Sequence, residues 1–254
     1  MTADAVAWER MLASMRMAFG SMPKTSEGGS TLRLDGVVAA VTPAVPERSL
    51  PNSVTYETEE ALADALDELA EAYEEAGVQA WTVWVPEHHR RAADLLERAG
   101  HRLDANPTAM IAELSEIEPP REGDPEPAPR PVREDLGRVN DLAYGTTDSF
   151  QRLIGEGPAD PAHTYVAQSD GEATACVASM DLDGDCSIWW VATVPQARGR
   201  GLAAGLMRQA LADGRDRGCD VSTLQATKLG RPVYERLGYR AFGEIQMWER
   251  RPSG

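Results

Sequence analysis

Basic residues are scarce: 25 Lys and Arg stand against 41 Asp and Glu, a formal net charge of −16 over 254 residues. Affinity for nucleic-acid phosphates comes from clustered Lys and Arg, so this deficit argues against a nucleic-acid partner. It also favours long-range attraction of a cationic substrate. Cysteine is nearly absent, with only Cys176, Cys186 and Cys219, an odd count without metal-ligand spacing. No metal site is indicated, and reduced thiols in a cytosol are favoured over a disulfide framework. The chain has no apolar run of about 18 residues that would suit a membrane span. Met1 to Met22 carries Asp4, Glu9, Arg10 and Arg16 through its apolar positions, unlike a signal peptide. The expectation is a cytoplasmic protein with no membrane partner.

What is present is a chain of two related halves. Six prolines crowd Glu116 to Pro131, without apolar periodicity, which describes a semi-rigid extended linker. Around it, Leu96-Glu97-Arg98-Ala99-Gly100-His101-Arg102 lines up with Tyr234-Glu235-Arg236-Leu237-Gly238-Tyr239-Arg240. A helix over Glu59 to Ala76 stops at Gly77 before the strand Ala80 to Val85, as a helix over Leu202 to Arg217 stops at Gly218 before Val221 to Gln225. Asp35-Gly36 and Asp170-Gly171 each sit between alternating apolar strands as hairpin turns. The second half reads β-α-β-β-β-α-β-α-β. Its elements are expected at Arg130–Val132, Asp135–Tyr144, Thr164–Gln168, Thr174–Asp181, Cys186–Val194, Leu202–Arg217, Val221–Gln225, Arg231–Leu237 and Ala241–Arg250.

The most informative stretch is Arg198-Gly199-Arg200-Gly201-Leu202-Ala203-Ala204, which follows the apolar run Ile188 to Val194. Glycines before a helix let successive backbone N–H groups converge, and the unpaired amides of the first turn add partial positive charge. That describes a pyrophosphate site. No Gly-Lys-Ser/Thr ending follows, which excludes a P-loop. Gly199, Gly201 and Ala204 match a dinucleotide fingerprint formally, but Asp220 precedes the next strand rather than ending it.

Arg198 to Ala203, preceded by Pro195, resembles the Gln/Arg-x-x-Gly-x-Gly/Ala signature of the GNAT superfamily of acyl-CoA N-acyltransferases. Pro232 to Tyr239 resembles that superfamily's second signature, an aromatic-rich helix ending in Gly-Tyr. The resemblance covers roughly residues 130 to 250. It implies an α+β fold with a mixed α/β sheet, splayed between two strands and flanked by helices, with acyl-CoA in the gap. With the internal repeat, it implies two tandem GNAT-like domains: a degenerate one at 1–117, a Pro-rich linker at 118–131 and a catalytic one at 132–254.

The copies differ where the chemistry would be. Glu57-Thr58-Glu59-Glu60 stands in the first half where the glycine turn stands in the second, and carboxylates at a helix start repel a pyrophosphate. Leu96 replaces Tyr234, so the first copy lacks a phenol. In the second copy the resemblance implies acetyl-CoA contacts at Ala192, Thr193 and Val194, then at Arg198, Gly199, Arg200, Gly201, Leu202, Ala203 and Ala204. It also places the Tyr234 phenol near the CoA sulfur as general acid. The backbone N–H near Thr193 or Val194 is expected to hold the thioester carbonyl. Asp181, Asp183, Glu244 and His163 are weighed as bases, none preferred. Trp189 and Trp190, adjacent on a strand, are expected on opposite faces.

The expected function is direct acetyl transfer from acetyl-CoA to a primary amine, by a monomer or homodimer. The alternative is a non-enzymatic acyl-CoA-binding regulatory protein.

Overall fold

The computed structural model describes residues 2–129, 131, 133–155 and 162–251. The strand expected at Arg130–Val132 rests on residues outside those described. Two compact units form, each from two separate stretches of chain: Met1–Ser14 with Met110–Phe242, and Met15–Ala109 with Gly243–Gly254. They are called here the C-terminal and the N-terminal unit. The boundaries fall inside the first helix, α1 (Ala3–Ser21), and the last strand.

The N-terminal unit contains β1 (Ser30–Leu34), β2 (Val37–Val41), β3 (Ser53–Tyr56), α2 (Glu59–Glu75), β4 (Trp81–Pro86), α3 (Arg90–Arg98) and β5 (Arg102–Ala105), with most of β11 (Arg240–Arg250). Asp35-Gly36 closes the β1–β2 hairpin, and Gly36 takes the positive φ that the turn requires. A helical crossover makes β3 and β4 parallel, while β4 and β11 run antiparallel from Ile245 to Arg250. Leu62, Leu66, Leu69 and Tyr73 recur at helical spacing along α2 and bury against Val54, Val83 and Val85. Thr58 accepts from the Ala61 amide at its start, and Gly77 ends it at φ +70°.

The C-terminal unit orders its strands β6 (Thr108–Glu113), β10 (Val221–Ala226), β9 (Asp185–Thr193), β8 (Glu172–Leu182) and β7 (His163–Ser169). Its helices are α4 (Arg133–Tyr144), α5 (Ser149–Ile154), α6 (Leu202–Asp216) and α7 (Arg231–Arg236). Asp170-Gly171 and Asp183-Gly184 both have two positive φ angles, which twists the β7–β8–β9 meander as tight hairpins require. Helix α6 lays Leu206, Met207, Ala210 and Leu211 on the sheet, and Gly214 lets it approach so closely that a Cβ there would stand 2.6 Å from Cys186 Sγ.

Three connections bind sequence-distant segments into this unit. Residues 118–129 cross α6, where Arg208, only 8% exposed, donates Nε to Asp124 Oδ2 at 2.7 Å and Nη2 to Oδ1, and a Cβ on Gly205 would run into Pro125. The start of α1 contributes Arg10, paired with Asp220, and Ser14, whose hydroxyl donates to buried Asp185 at 2.7 Å. Helix α5 was not expected. Its start is held by Asp141 of α4, which accepts from the amides of Phe150 and Gln151, a tertiary cap invisible to local pattern. Among the described residues no helix is long and apolar enough to cross a membrane, and no group of His, Cys, Asp or Glu is arranged to hold a metal ion.

Candidate active site

The site begins where two strands part. The parallel ladder between β9 and β10 consists of the single pair Asp185–Val221, at the start of both strands. β9 then runs on to Thr193 and β10 to Ala226.

Backbone alternation decides which amide faces that gap. The Val194 N–H donates to Thr174 O at 2.9 Å and is therefore engaged with β8. Successive residues of a strand turn their amides to opposite edges, so the Thr193 N–H points away from β8, toward β10. The Thr193 carbonyl turns the same way and accepts from Arg198 Nε at 3.3 Å. Of the two amides considered from sequence, Thr193 has the suitable direction. Ala192, buried, is paired with Cys176 of β8.

The β9 strand also carries a bulge. The register passes from Cys176–Ala192 to Ala178–Trp189, so Val177 faces both Trp190 and Val191. Trp190 takes φ +54°, a left-handed conformation that bulky residues rarely adopt. Ile188 and Val191, three apart, consequently pack against the same core cluster. Strict alternation of Trp189 and Trp190 is thereby broken: Trp189 Nε1 donates to Ser187 Oγ, while Trp190 meets Phe150 edge-on at 5.8 Å.

Beyond Thr193 a short 3-10 turn, Pro195–Ala197, leads into the glycine turn. Gly199 and Gly201 have φ +76° and +77°, and a Cβ on either would meet nothing within 4 Å. Gly201 starts α6 without any side-chain cap, and the first intrahelical bond returns from Gly205 N to Gly201 O. The amides of Leu202, Ala203 and Ala204 thus have no acceptor within the helix. This open cradle of uncapped amides can receive an anionic phosphate group. Arg200 is exposed and makes no ion pair among the described residues. Arg198 serves structure as well: Nη2 donates to Ala143 O at 2.7 Å, tying the end of α4 to the end of β9. Sequence alone carried no signal for that tie.

Tyr234 lies on α7, which Pro232 opens at its second position and Gly238 follows at φ +101°. Its ring packs against the cluster that Leu202 and Ala204 also border, and edge-on to Tyr239 at 6.0 Å. Its hydroxyl has no hydrogen-bond partner among the described residues. Burial, then the nearby Tyr144 phenol, push its pKa above the ordinary tyrosine value, so the proton stays on oxygen at neutral pH. Tyr144 was missed in the sequence. It is 57% exposed, stacks on Phe150 at 5.4 Å and neighbours Arg198.

The carboxylates and histidine considered as bases are engaged with other groups, sit in a turn or belong to the other unit. Asp181 pairs with Arg217 at 2.5 Å, and His163 Nε2 stands 3.6 Å from it, near the start of β9. Asp183 belongs to a hairpin turn, and Glu244 is an exposed residue of β11 in the N-terminal unit.

At the start of α2, the stretch that the internal repeat aligns with the glycine turn, two carboxylates meet α3. Glu59 Oε1 accepts from the Ala92 amide at 2.8 Å, and Glu60 Oε1 pairs with Arg91 at 2.9 Å. Tyr56 and His89 Nδ1 share a hydrogen bond of 3.0 Å at the ends of β3 and β4.

Residues 160–241 match the family model of the acetyltransferase (GNAT) domain. No curated protein sequence matches the chain. Among solved structures, a GCN5-related N-acetyltransferase from Kribbella flavida is 18% identical, covering 96% of this chain and 95% of that one, with a TM-score of 0.68. One from Sphaerobacter thermophilus is 20% identical, covering 98% and 93%, with a TM-score of 0.53. A tandem GNAT protein from the clavulanic acid biosynthesis pathway is 13% identical, covering 86% and 79%, with a TM-score of 0.53. Residues 160–241 thus match a GNAT acetyltransferase domain, and the fold is similar to that of GCN5-related N-acetyltransferases. The domain match over residues 160–241 supports acyl-CoA-dependent N-acetyl transfer in general.

Proposed function

We propose that the protein transfers an acetyl group from acetyl-CoA directly to a primary amine, with the active site in the C-terminal domain, 132–254. The observation that carries this reading is the parting of β9 from β10 with the Thr193 amide turned into the gap and the glycine cradle just beyond it. Acetyl-CoA supplies an activated thioester. The backbone at Gly199 to Ala204 holds its pyrophosphate, with Arg200 adding charge. The Thr193 N–H donates to the thioester carbonyl and stabilises the negative charge that develops on it as the amine attacks. As the C–S bond breaks, Tyr234 delivers a proton to the departing sulfur, and the acylated nitrogen gives up a proton to water, which returns one to the phenolate. The desolvation that keeps this phenol protonated also raises the basicity of the thiolate. An unpartnered phenol there favours an enzyme over a regulatory acyl-CoA-binding protein.

The N-terminal domain, 1–117, is proposed not to bind CoA, because Glu59 and Glu60 already satisfy the region of its helix starts. Acceptor, acetyl-CoA and a monomeric or homodimeric chain in the cytoplasm complete the proposal. The test is release of free CoA thiol against a panel of primary amines, with Tyr234→Phe as control. Acetyl-CoA binding without thiol release for any amine would favour the regulatory reading.

A further inference from the structure

The bulge in β9 removes the Trp190 carbonyl from regular pairing, and a small polar chain meets it. The Cys176 thiol, fully buried, lies 3.2 Å from Trp190 O and donates to it. Cys176 Sγ in turn receives Asn140 Nδ2 at 3.4 Å. The second hydrogen of that amide goes to Leu136 O at 2.9 Å, within α4. Asn140 is 1% exposed, so the chain runs through dry protein, where each hydrogen bond counts more than in water. Burial pushes the Cys176 pKa up to about 12, which keeps the thiol a donor.

This arrangement has a directional consequence. A left-handed tryptophan costs conformational energy and persists only where neighbours over-determine it. Thr193 follows three residues later, and the bulge sets the twist with which β9 leaves β10. We infer that Asn140 and Cys176 are positioning residues, which fix the Trp190 bulge and through it the direction of the Thr193 amide. The inference rests on the oxyanion role proposed for that amide.

Cys176→Ala removes the donor with little change in volume. Misplacing an oxyanion donor lowers turnover by up to about a hundredfold or more, and a loosened donor is expected to cost about tenfold in kcat. KM for acetyl-CoA stays within twofold of wild type, since the glycine cradle is untouched. Cys176→Ser, which keeps a donor, restores kcat, and Asn140→Leu shows a smaller loss in the same direction. The Thr193 amide resonance, followed by 1H-15N NMR in the full-length protein, shifts in Cys176→Ala without ligand and returns in Cys176→Ser. An unchanged kcat and Thr193 resonance in Cys176→Ala overturns the inference. So does an equal loss in the Ala and Ser variants that follows their melting temperatures. If wild-type protein acetylates no amine, the proposed function fails, while the Thr193 resonance still decides whether Cys176 sets the amide.

Discussion

The Tyr234 ring lies on Gly230, so closely that a Cβ there would stand 3.1 Å from Cε2 and 3.7 Å from Cζ. Gly230 has φ −77° and ψ −33°, which any residue adopts, so alanine brings no backbone strain. The contact is tighter than ordinary van der Waals distance, and the ring must shift by a few tenths of an ångström.

Gly230→Ala therefore separates placement of the phenol from its chemistry. The variant keeps its melting temperature, and its kcat falls several-fold with KM for acetyl-CoA unchanged. Tyr234→Phe lowers kcat by about a hundredfold, the usual scale for losing a general acid, again with cofactor binding intact. Steady-state kinetics with calorimetric cofactor titration check both. Wild-type turnover in Tyr234→Phe across pH removes the phenol from the mechanism.

Two substitutions at Gly201 distinguish strain from charge. Gly201→Ala carries only the cost of a side chain at φ +77°, about 1–2 kcal/mol of stability. Gly201→Glu carries that cost and places a carboxylate in the cradle, weakening acetyl-CoA binding by at least about tenfold, or about 1.4 kcal/mol. Calorimetry of the wild type is expected to give one acetyl-CoA per chain, because the internal repeat aligns the carboxylates Glu59 and Glu60, at the start of α2, with the glycine turn. Two equivalents would refute the silence assigned to residues 1–117.

Asp185 is buried beneath Ser14 and Thr223, and burial raises its pKa to about 6, against the hydrogen bonds from both hydroxyls and the Thr223 amide. Its folded value lies above its unfolded one. Stability from this group is thus fully present below about pH 4 and is lost as pH rises through about 6, by up to about 3 kcal/mol. Asp185→Asn is expected to be more stable than wild type to urea at pH 7, with the advantage gone at pH 4.

His101 behaves oppositely. It is buried edge-on against Trp81 at 4.6 Å, and burial, then Arg250, lower its pKa to about 4. Its stability contribution is present above about pH 6.5 and lost as pH falls through about 4, again on the order of 3 kcal/mol. Neither ring nitrogen makes a well-formed hydrogen bond. His101→Phe should flatten the acid limb of the urea-unfolding profile between pH 6.5 and 4.

Legibility in the sequence followed the range of the determining interactions. Helices α2 and α6 were readable from apolar spacing and the glycines that end them, and the hairpins from Asp-Gly. The cradle was readable because glycine conformations are local. The bulge at Trp190 was not, since an extra residue shows only against the register of β8. Helix α5 depends on Asp141, and the tie from Arg198 to Ala143 spans 55 residues. Neither leaves a trace in local composition.

The connections from distant segments bear on how the chain can be dissected. Arg10, Ser14 and Asp124 lie before residue 132, while their partners Asp220, Asp185 and Arg208 lie after it. A fragment starting at the end of the Pro-rich stretch would strand three charged groups, one of them a buried carboxylate, and would forfeit the edge contact of Trp8 with Phe242 at 4.9 Å. Transplanting the C-terminal unit into another protein therefore requires grafting in the first turns of α1 and the stretch from residue 110 together with it.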